Sequence, residues 1–111
     1  MERLPFRATA TASAYDAIRV LPVSVLLDNV RSMYNVGAFF RTADGVGLER
    51  LYLSGITARP PKPQLAKTAL GAEETVAWEG TASPVELVGR LRREGYEIAA
   101  IETSVQSVDL F

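Results

Sequence analysis

Apolar and polar positions along the chain alternate between short apolar runs and stretches with helical periodicity. The first apolar run, residues 23–27, follows Pro22 and is typical of a strand that is buried on both faces of a sheet. From residue 34 to residue 46 the apolar positions recur at helical spacing and form one stripe, which predicts a helix. Gly45 and Gly47 lie at its end and indicate where the helix stops.

The rest of the chain repeats this alternation. Three prolines within residues 58–63 remove backbone donors and fix φ, so this segment is predicted to be an exposed loop. A short helix is predicted around residues 64–70. Further strands are predicted at residues 51–53, 75–78 and 98–101, where short apolar runs recur.

A further helix is predicted between the last two strands, and both of its ends carry a signal. Ser83 suits an N-cap, Pro84 suits the first helical position, and Glu86 stands three residues after the cap. The helix is predicted to run to about Glu94 and to be ended by Gly95. Strands separated by helices of these lengths predict an α/β fold with a parallel, Rossmann-like sheet.

A parallel sheet of this kind places its ligand site beyond the carboxyl ends of its strands. The sequence supplies polar residues at two such ends, Asp28-Asn29 after the first predicted strand and Glu102-Thr103 after the fourth. These two positions are the first candidates for a site.

Composition narrows the class of protein. The chain has 111 residues, of which 48% are hydrophobic and 23% charged, as expected of one globular domain at most. It has no cysteine and no histidine, which excludes thiol nucleophiles, disulfides, Cys/His zinc sites and histidine acid/base catalysis within these residues. No run has the length of a membrane span, and the start lacks the apolar stretch of a secretory signal, so a cytoplasmic location is predicted. We predict a leader at residues 1–22 and one domain at residues 23–111.

Charge is distributed unevenly although the net charge is only −1. Residues 28–67 carry six basic and three acidic side chains, whereas residues 68–111 carry three basic and eight acidic ones. The basic side chains of the middle segment are Arg31, Arg41, Arg50, Arg59, Lys62 and Lys67. Such a segment is compatible with a phosphate-facing surface and equally with ordinary solvated charges.

Asn35, Gly37 and Arg41 are expected to form an anion site at the start of the first helix. Gly37 lies one turn before Arg41, and helical side chains lean toward the N-terminus. Because Gly37 has no side chain, Arg41 should lie along the helix toward Asn35 and the free N–H groups of the first turn. A guanidinium and those donors together would bind a phosphate.

The segment from Asn29 to Asp44 reads Asn-Val-Arg-x-x-x-Asn-x-Gly-x-x-x-Arg-Thr-Ala-Asp and resembles the first motif of the SpoU family of the SPOUT superfamily. Residues 67–73 are similar to the family's segment before its third strand, and the likeness spans nearly all of residues 23–111. The motif departs from the family at residues 32–34, Ser-Met-Tyr, where many members have Asp-Pro-His. The resemblance implies the N-terminal part of an α/β trefoil-knot domain with the knot missing.

The resemblance also implies a reaction, the transfer of a methyl group from S-adenosylmethionine to a ribose 2′-hydroxyl of tRNA or rRNA. Asn35 and Arg41 occupy the positions of the family's catalytic residues, and Arg31 that of a nearby basic residue. Glu102 and Thr103 occupy the flank that lines the cofactor pocket in relatives. The knot, which also forms the family's homodimer, has no counterpart here, so dimerisation of this chain is in doubt. The chain alone is expected to be inactive, and either marginally stable or prone to associate. Neither a metal nor a membrane is implied.

Two roles are open for Arg41 in that reaction. The family's proposed general base is the arginine itself, activated by substrate phosphate. The ordinary pKa of an arginine lies far above neutral pH, so making one neutral at pH 7 costs roughly 7–8 kcal/mol. A charged guanidinium that binds phosphate and stabilises the developing alkoxide requires less, and we favour that role.

Simpler interpretations are also open at this stage. Arg41 could be a solvent-facing residue that pairs with Asp44, and Asn35 could be only an N-terminal cap. Arg59, Lys62 and Lys67 are candidates for RNA phosphate contacts and otherwise plain surface charges. The chain as a whole could instead be a non-catalytic RNA-binding remnant of the family, or an unrelated α/β domain that binds a small ligand.

Overall fold

Three parallel strands form the sheet of the computed structural model, which describes residues 20–101. Strand β1 spans Leu21–Asp28, β2 spans Leu48–Ser54 and β3 spans Trp78–Thr81. The order is β1-β2-β3, so β2 lies in the centre and pairs with β1 from Leu21–Leu48 to Asp28–Ser54. Because all three strands run the same way, their carboxyl ends meet at one edge of the sheet, here called the carboxyl edge.

Within residues 20–101, four helices connect and cover these strands. Helix α1 spans Met33–Val46, α2 spans Pro63–Ala69, α3 spans Ala72–Thr75 and α4 spans Pro84–Arg93. The predicted parallel α/β class and the helices near residues 34–46 and 64–70 are confirmed. The loop predicted at residues 58–63 ends one residue earlier, because Pro63 begins α2. None of the helices within residues 20–101 is both long enough and apolar enough to cross a membrane.

The two faces of the sheet bury separate apolar clusters. Alternation along β2 turns Leu51 and Leu53 to one face and Tyr52 to the other. Leu51 and Leu53 belong to the main core, where they are joined by Val36 and Phe40 of α1 and by residues of α2 and α3. Tyr52 packs with two leucines of α4, so α4 covers the opposite face.

Helix α4 has the ends that its sequence predicts. The Ser83 hydroxyl accepts a hydrogen bond from the Glu86 N–H at 3.2 Å, and Pro84 is the first helical residue. At the other end Gly95 adopts φ 100°, which an L side chain rarely adopts, and the Tyr96 N–H donates to Leu91 O at 3.0 Å. This geometry turns the chain back toward the sheet.

Tyr96 then joins the end of α4 to the sheet through a carboxylate. The Tyr96 hydroxyl and the Ser24 hydroxyl both donate to Oε2 of Glu49, at the amino end of β2. Both hydrogen bonds lower the pKa of Glu49, and the bond from Tyr96 has the larger effect. The hydrogen bond between Tyr96 and Glu49 also raises the pKa of Tyr96. The cluster lies at the end of the sheet opposite the carboxyl edge.

Three strand predictions were wrong in part. The third strand was predicted at residues 75–78 but lies at Trp78–Thr81, because Thr75 ends α3 and the ladder with β2 begins only at Leu51–Trp78. Residues 98–101 were predicted as a fourth strand but form none, since this apolar stretch pairs with no described strand and Ile101 is 87% exposed. Strand β1 was predicted to be buried on both faces, but Leu27 is its one buried residue, and among residues 20–101 only β2 pairs with it.

Two of the sequence-based predictions fall on other parts of the chain. Residues 1–19 of the predicted leader, and both Glu102 and Thr103, lie outside the described residues.

Candidate functional site

The carboxyl edge is held together by hydrogen bonds between the loop after β1 and the loop after β2. The buried Thr57 hydroxyl donates to Leu27 O and accepts from the Val30 N–H, each at 3.0 Å. The buried Ser54 hydroxyl donates to Oδ1 of Asp28 at 2.8 Å. We call these contacts, together with the one formed by Asn29, the loop tie.

Asn29 completes the loop tie in a backbone conformation that few residues adopt. Its φ is 55°, and its Oδ1 accepts a hydrogen bond from the Ile56 N–H at 3.0 Å. Asparagine tolerates the left-handed region better than most L residues because its side chain can bond nearby backbone. Gly55 faces it, and a Cβ at Gly55 would lie 1.8 Å from the same Oδ1, so this position requires glycine.

Asn35 lies in the first turn of α1 and does not cap it. Ser32 is the N-cap, and its hydroxyl accepts a hydrogen bond from the backbone N–H of Asn35 at 3.0 Å. The Asn35 side chain is exposed and forms no hydrogen bond to any described residue. The interpretation of Asn35 as a simple cap was therefore wrong, and its amide is available to a ligand at the carboxyl edge.

Gly37 is buried for a different reason from the one its sequence suggested. A Cβ on Gly37 would lie 1.8 Å from Oγ1 of Thr68 and 2.7 Å from the carbonyl oxygen of Leu65, both in α2. Thus α2 occupies the space above Gly37 that was expected to receive the Arg41 side chain. Because Gly37 has no side chain, α1 and α2 can approach closely at this position.

We expect Gly37→Ala to destabilise the fold by about 1–3 kcal/mol, because the Leu65 carbonyl belongs to the backbone and cannot turn away from the added methyl group. Chemical denaturation followed by circular dichroism measures this loss. Gly45→Ala is the matched control in the same helix, since a Cβ there meets nothing within 4 Å and alanine raises helix propensity. Equal stability of the two variants would show that α1 and α2 are not in close contact.

Arg41 is exposed on α1 and does not form the ion pair that its sequence allowed. Oδ1 of Asp44 accepts a hydrogen bond from the Thr75 hydroxyl at 2.9 Å instead, and Arg41 has no carboxylate partner among residues 20–101. Arg41 follows Asn35 by six positions. In an α-helix this places the two Cα atoms about 9 Å apart along the axis and roughly 120° apart around it. They lie on the same helix but on different stripes of its surface.

The other predicted basic residues are distributed around the same edge. Arg31 is exposed in the segment between the loop tie and α1. Arg59 lies over the end of β3, since a Cβ added to Gly80 would lie 2.3 Å from its Nη1. Lys62 precedes α2 and Lys67 belongs to it; the next residue of that helix, Thr68, donates to the backbone carbonyl of Tyr34 in the first turn of α1.

One electrostatic property is shared by the five candidate cations, which are Arg31, Arg41, Arg59, Lys62 and Lys67. All are exposed, and the one ion pair recorded between described residues is Arg90–Glu94 on α4, at 3.6 Å. Their charges are therefore not neutralised by a carboxylate of residues 20–101. Two grooves, of about 650 and 860 Å³, lie beside α4 and are lined by none of these cations. The candidate site is an open cationic surface, which suits a charged polymer better than a small enclosed ligand.

The comparison with protein families decides where this arrangement belongs. A model of the SpoU rRNA methylase family matches residues 22–111. The chain belongs to the SpoU rRNA methylase family. The resemblance read from residues 29–44 is thereby confirmed, and an unrelated small-ligand domain is no longer an alternative.

The proteins to which this SpoU chain is similar are longer than the chain itself. A 23S rRNA (guanosine-2′-O-)-methyltransferase RlmB from a Burkholderia species is 29% identical over 92 residues, covering 83% of this chain and 37% of the relative. An AdoMet-bound rRNA methyltransferase from Sinorhizobium meliloti is 27% identical with a TM-score of 0.58, over 68% of this chain and 28% of that one. The SpoU methyltransferase AviRb from Streptomyces viridochromogenes is 26% identical with a TM-score of 0.59, over 71% and 32%. The chain thus spans about a third of the length of these relatives.

The loop tie of this SpoU chain was not predicted from its sequence. Asp28-Asn29 was predicted to be a strand end, but no role was predicted for Ser54 or Thr57. The signal was Ser54-Gly55 directly after the second apolar run, which marks a second carboxyl end beside the first. Which of these polar groups bond to each other depends on the register of β1 against β2, and residue spacing does not give that register.

Proposed function

We propose that this chain forms the RNA-binding side of an AdoMet-dependent RNA 2′-O-ribose methyltransferase. The observation that carries the proposal is the SpoU family match across residues 22–111. The exposed cations at the carboxyl edge support it, because phosphate contacts made by arginine and lysine dominate RNA affinity. An rRNA substrate is favoured over tRNA, since two of the three relatives are named as rRNA methyltransferases.

Each candidate residue has a role that its position allows. Arg31, Arg59, Lys62 and Lys67 bind phosphates on either side of the target nucleotide and fix its orientation. Asn35, with a free amide in the first turn of α1, donates to the ribose or its phosphate. Arg41 remains charged, binds the phosphate next to the target ribose, and stabilises the negative charge that develops on the 2′-oxygen as its proton leaves.

The methyl donor is held by residues other than these. AdoMet, when bound, supplies the methyl group. The carboxyl edge presents guanidinium, ammonium and amide groups, which fit phosphate and ribose and do not by themselves form a site for this donor. Glu102 and Thr103 are the residues that we propose for its contact, and no described residue needs to take that role.

The remaining features of the proposal follow from family membership. We infer that residues 23–111 form one methyltransferase domain that acts in the cytoplasm and needs neither a metal nor a membrane. The homodimer is assigned to full-length members of the family and not to this chain by itself.

Binding of RNA by the 111-residue chain tests the proposal directly. A fluorescent single-stranded rRNA segment is titrated with the chain at several salt concentrations, and methylation of rRNA is followed with the whole gene product and labelled AdoMet. We expect the affinity to fall steeply as the salt concentration rises. A plot of the logarithm of the association constant against the logarithm of the salt concentration should have a slope of about −0.7 for each phosphate contact. Mass spectrometry of the digested product should find a 2′-O-methylated nucleoside.

The outcomes separate the two classes of function. RNA binding with no methyl transfer by the whole gene product would favour the non-catalytic remnant. No RNA binding at low salt would overturn the proposal altogether.

A further inference from the structure

Thr57 occupies a position that none of the proposed contacts explains. It is only 4% exposed, so its hydroxyl cannot touch RNA. The hydroxyl uses both of its hydrogen-bonding functions, donating to Leu27 O at the end of β1 and accepting from the Val30 N–H. Thr57 itself belongs to the loop after β2, which its own N–H fixes by donating to Ser54 O at 3.3 Å.

These contacts join two segments that are distant in sequence. One of these segments contains Val30, which bonds to the Thr57 hydroxyl, and continues to Arg31 and Ser32, the N-cap of α1. The other segment contains Thr57 itself and continues within two residues to Arg59, whose guanidinium lies over Gly80. A single buried hydroxyl therefore fixes the starting points of two cationic segments relative to each other.

We propose that Thr57 is a positioning residue for RNA binding, which sets the spacing of Arg31 and Arg59 before RNA arrives. The inference rests on the proposed function. Its physical basis is preorganisation: cations held at a fixed separation lose less conformational freedom on binding than cations on independent loops. The rest of the loop tie supports the same geometry, but Asp28 and Asn29 are exposed, so water can replace their contacts.

Removing the Thr57 hydroxyl should loosen this spacing. Thr57→Val keeps the shape of the side chain and leaves the Val30 N–H without its partner, whereas Thr57→Ser keeps the hydroxyl. We expect Thr57→Val to weaken RNA binding by roughly threefold to tenfold, as part of one charge-assisted contact is lost. Thr57→Ser should bind within about twofold of the unmodified chain.

A matched control distinguishes positioning from general loss of stability. Thr75→Val also removes a threonine hydroxyl that bridges two segments, here Asp44 and Ala72 O, near the C-terminal end of α1. All variants are compared by fluorescence titration at a temperature where each is fully folded by circular dichroism. Thr75→Val should bind RNA like the unmodified chain, because its contacts lie away from Arg31 and Arg59.

Amide hydrogen exchange of the unmodified chain gives a second readout that does not depend on any variant folding. The Val30 amide should be protected in the absence of RNA, since its hydrogen bond to Thr57 already exists. Exchange of Val30 at the rate of an unfolded peptide would overturn the inference.

Two further outcomes separate this inference from the proposed function. If the unmodified chain binds RNA and Thr57→Val binds equally well, the positioning role is wrong while the proposed function stands. If the unmodified chain binds no RNA, the proposed function is wrong, and the positioning role is overturned with it.

Discussion

Replacing Phe40 by alanine should remove a large share of the stability of this fold. The Phe40 side chain is 0% exposed and joins α1 to the main core between the sheet and α2. Truncating a buried phenylalanine costs about 3–5 kcal/mol, because the apolar contacts are lost and a cavity remains. Small domains have a total stability of about 5–15 kcal/mol, so urea denaturation should show a greatly lowered midpoint or no folded baseline.

Phe39→Ala is the matched control for that experiment. Phe39 is the preceding residue of the same helix and is 43% exposed, so its removal creates a much smaller cavity. We expect it to cost well under half of the Phe40 effect. If the two variants were equally stable, the orientation of α1 against the sheet would be wrong.

Arg41→Ala should lower methyl transfer by about 100-fold to 1,000-fold, which is the usual effect of removing one group that stabilises a developing oxyanion. The prediction follows from the proposed role of Arg41, whose exposed guanidinium has no carboxylate partner among residues 20–101. RNA affinity should fall only a few-fold, because several other cations also contact phosphate. Single-turnover methylation by the whole gene product, with labelled AdoMet and saturating RNA, separates the rate from the affinity.

Arg92→Ala is the control for charge, since Arg92 is an exposed helical arginine on α4, away from the carboxyl edge. It should leave the methylation rate unchanged within about twofold. Arg41→Lys distinguishes the two chemical roles of Arg41: a charged stabiliser should be replaced in part by lysine, with little change in the pH profile. A general base should instead shift the pH profile when the side chain changes. Full activity of Arg41→Ala would exclude both roles.

The placement of Asn35 and Arg41 limits how RNA can lie on this surface. Because they are about 9 Å apart along α1 and on different stripes, no single phosphate oxygen contacts both without a long reach by the arginine. A ribose together with its neighbouring phosphates spans such a separation. The geometry therefore favours a nucleotide within a chain over a free nucleoside.

Much of the local structure was predictable because its causes are local. Helix α4 begins at Ser83 and Pro84 and is turned back at Gly95, where a cap, a fixed φ and a left-handed residue act within a few positions of one another. The helical stripe from residue 34 to residue 46 was right in part: Val36, Phe40 and Ala43 are buried, whereas Phe39 and Val46 are exposed. The motif around Asn35 identified the family for the same reason, since all of its residues lie in one continuous segment.

Other features depended on which elements become neighbours. An apolar run such as residues 23–27 predicts a strand buried on both faces, whereas the sheet formed by residues 20–101 leaves most of β1 partly buried or exposed. Gly37 was read as making room for Arg41, whereas the approach of α2 decides its role. The sequence determined the elements, the family and the candidate residues, through periodicity and short-range caps. Tertiary structure alone decided the burial of Thr57 and the separation of the cations, because contacts between distant segments depend on strand register and helix packing.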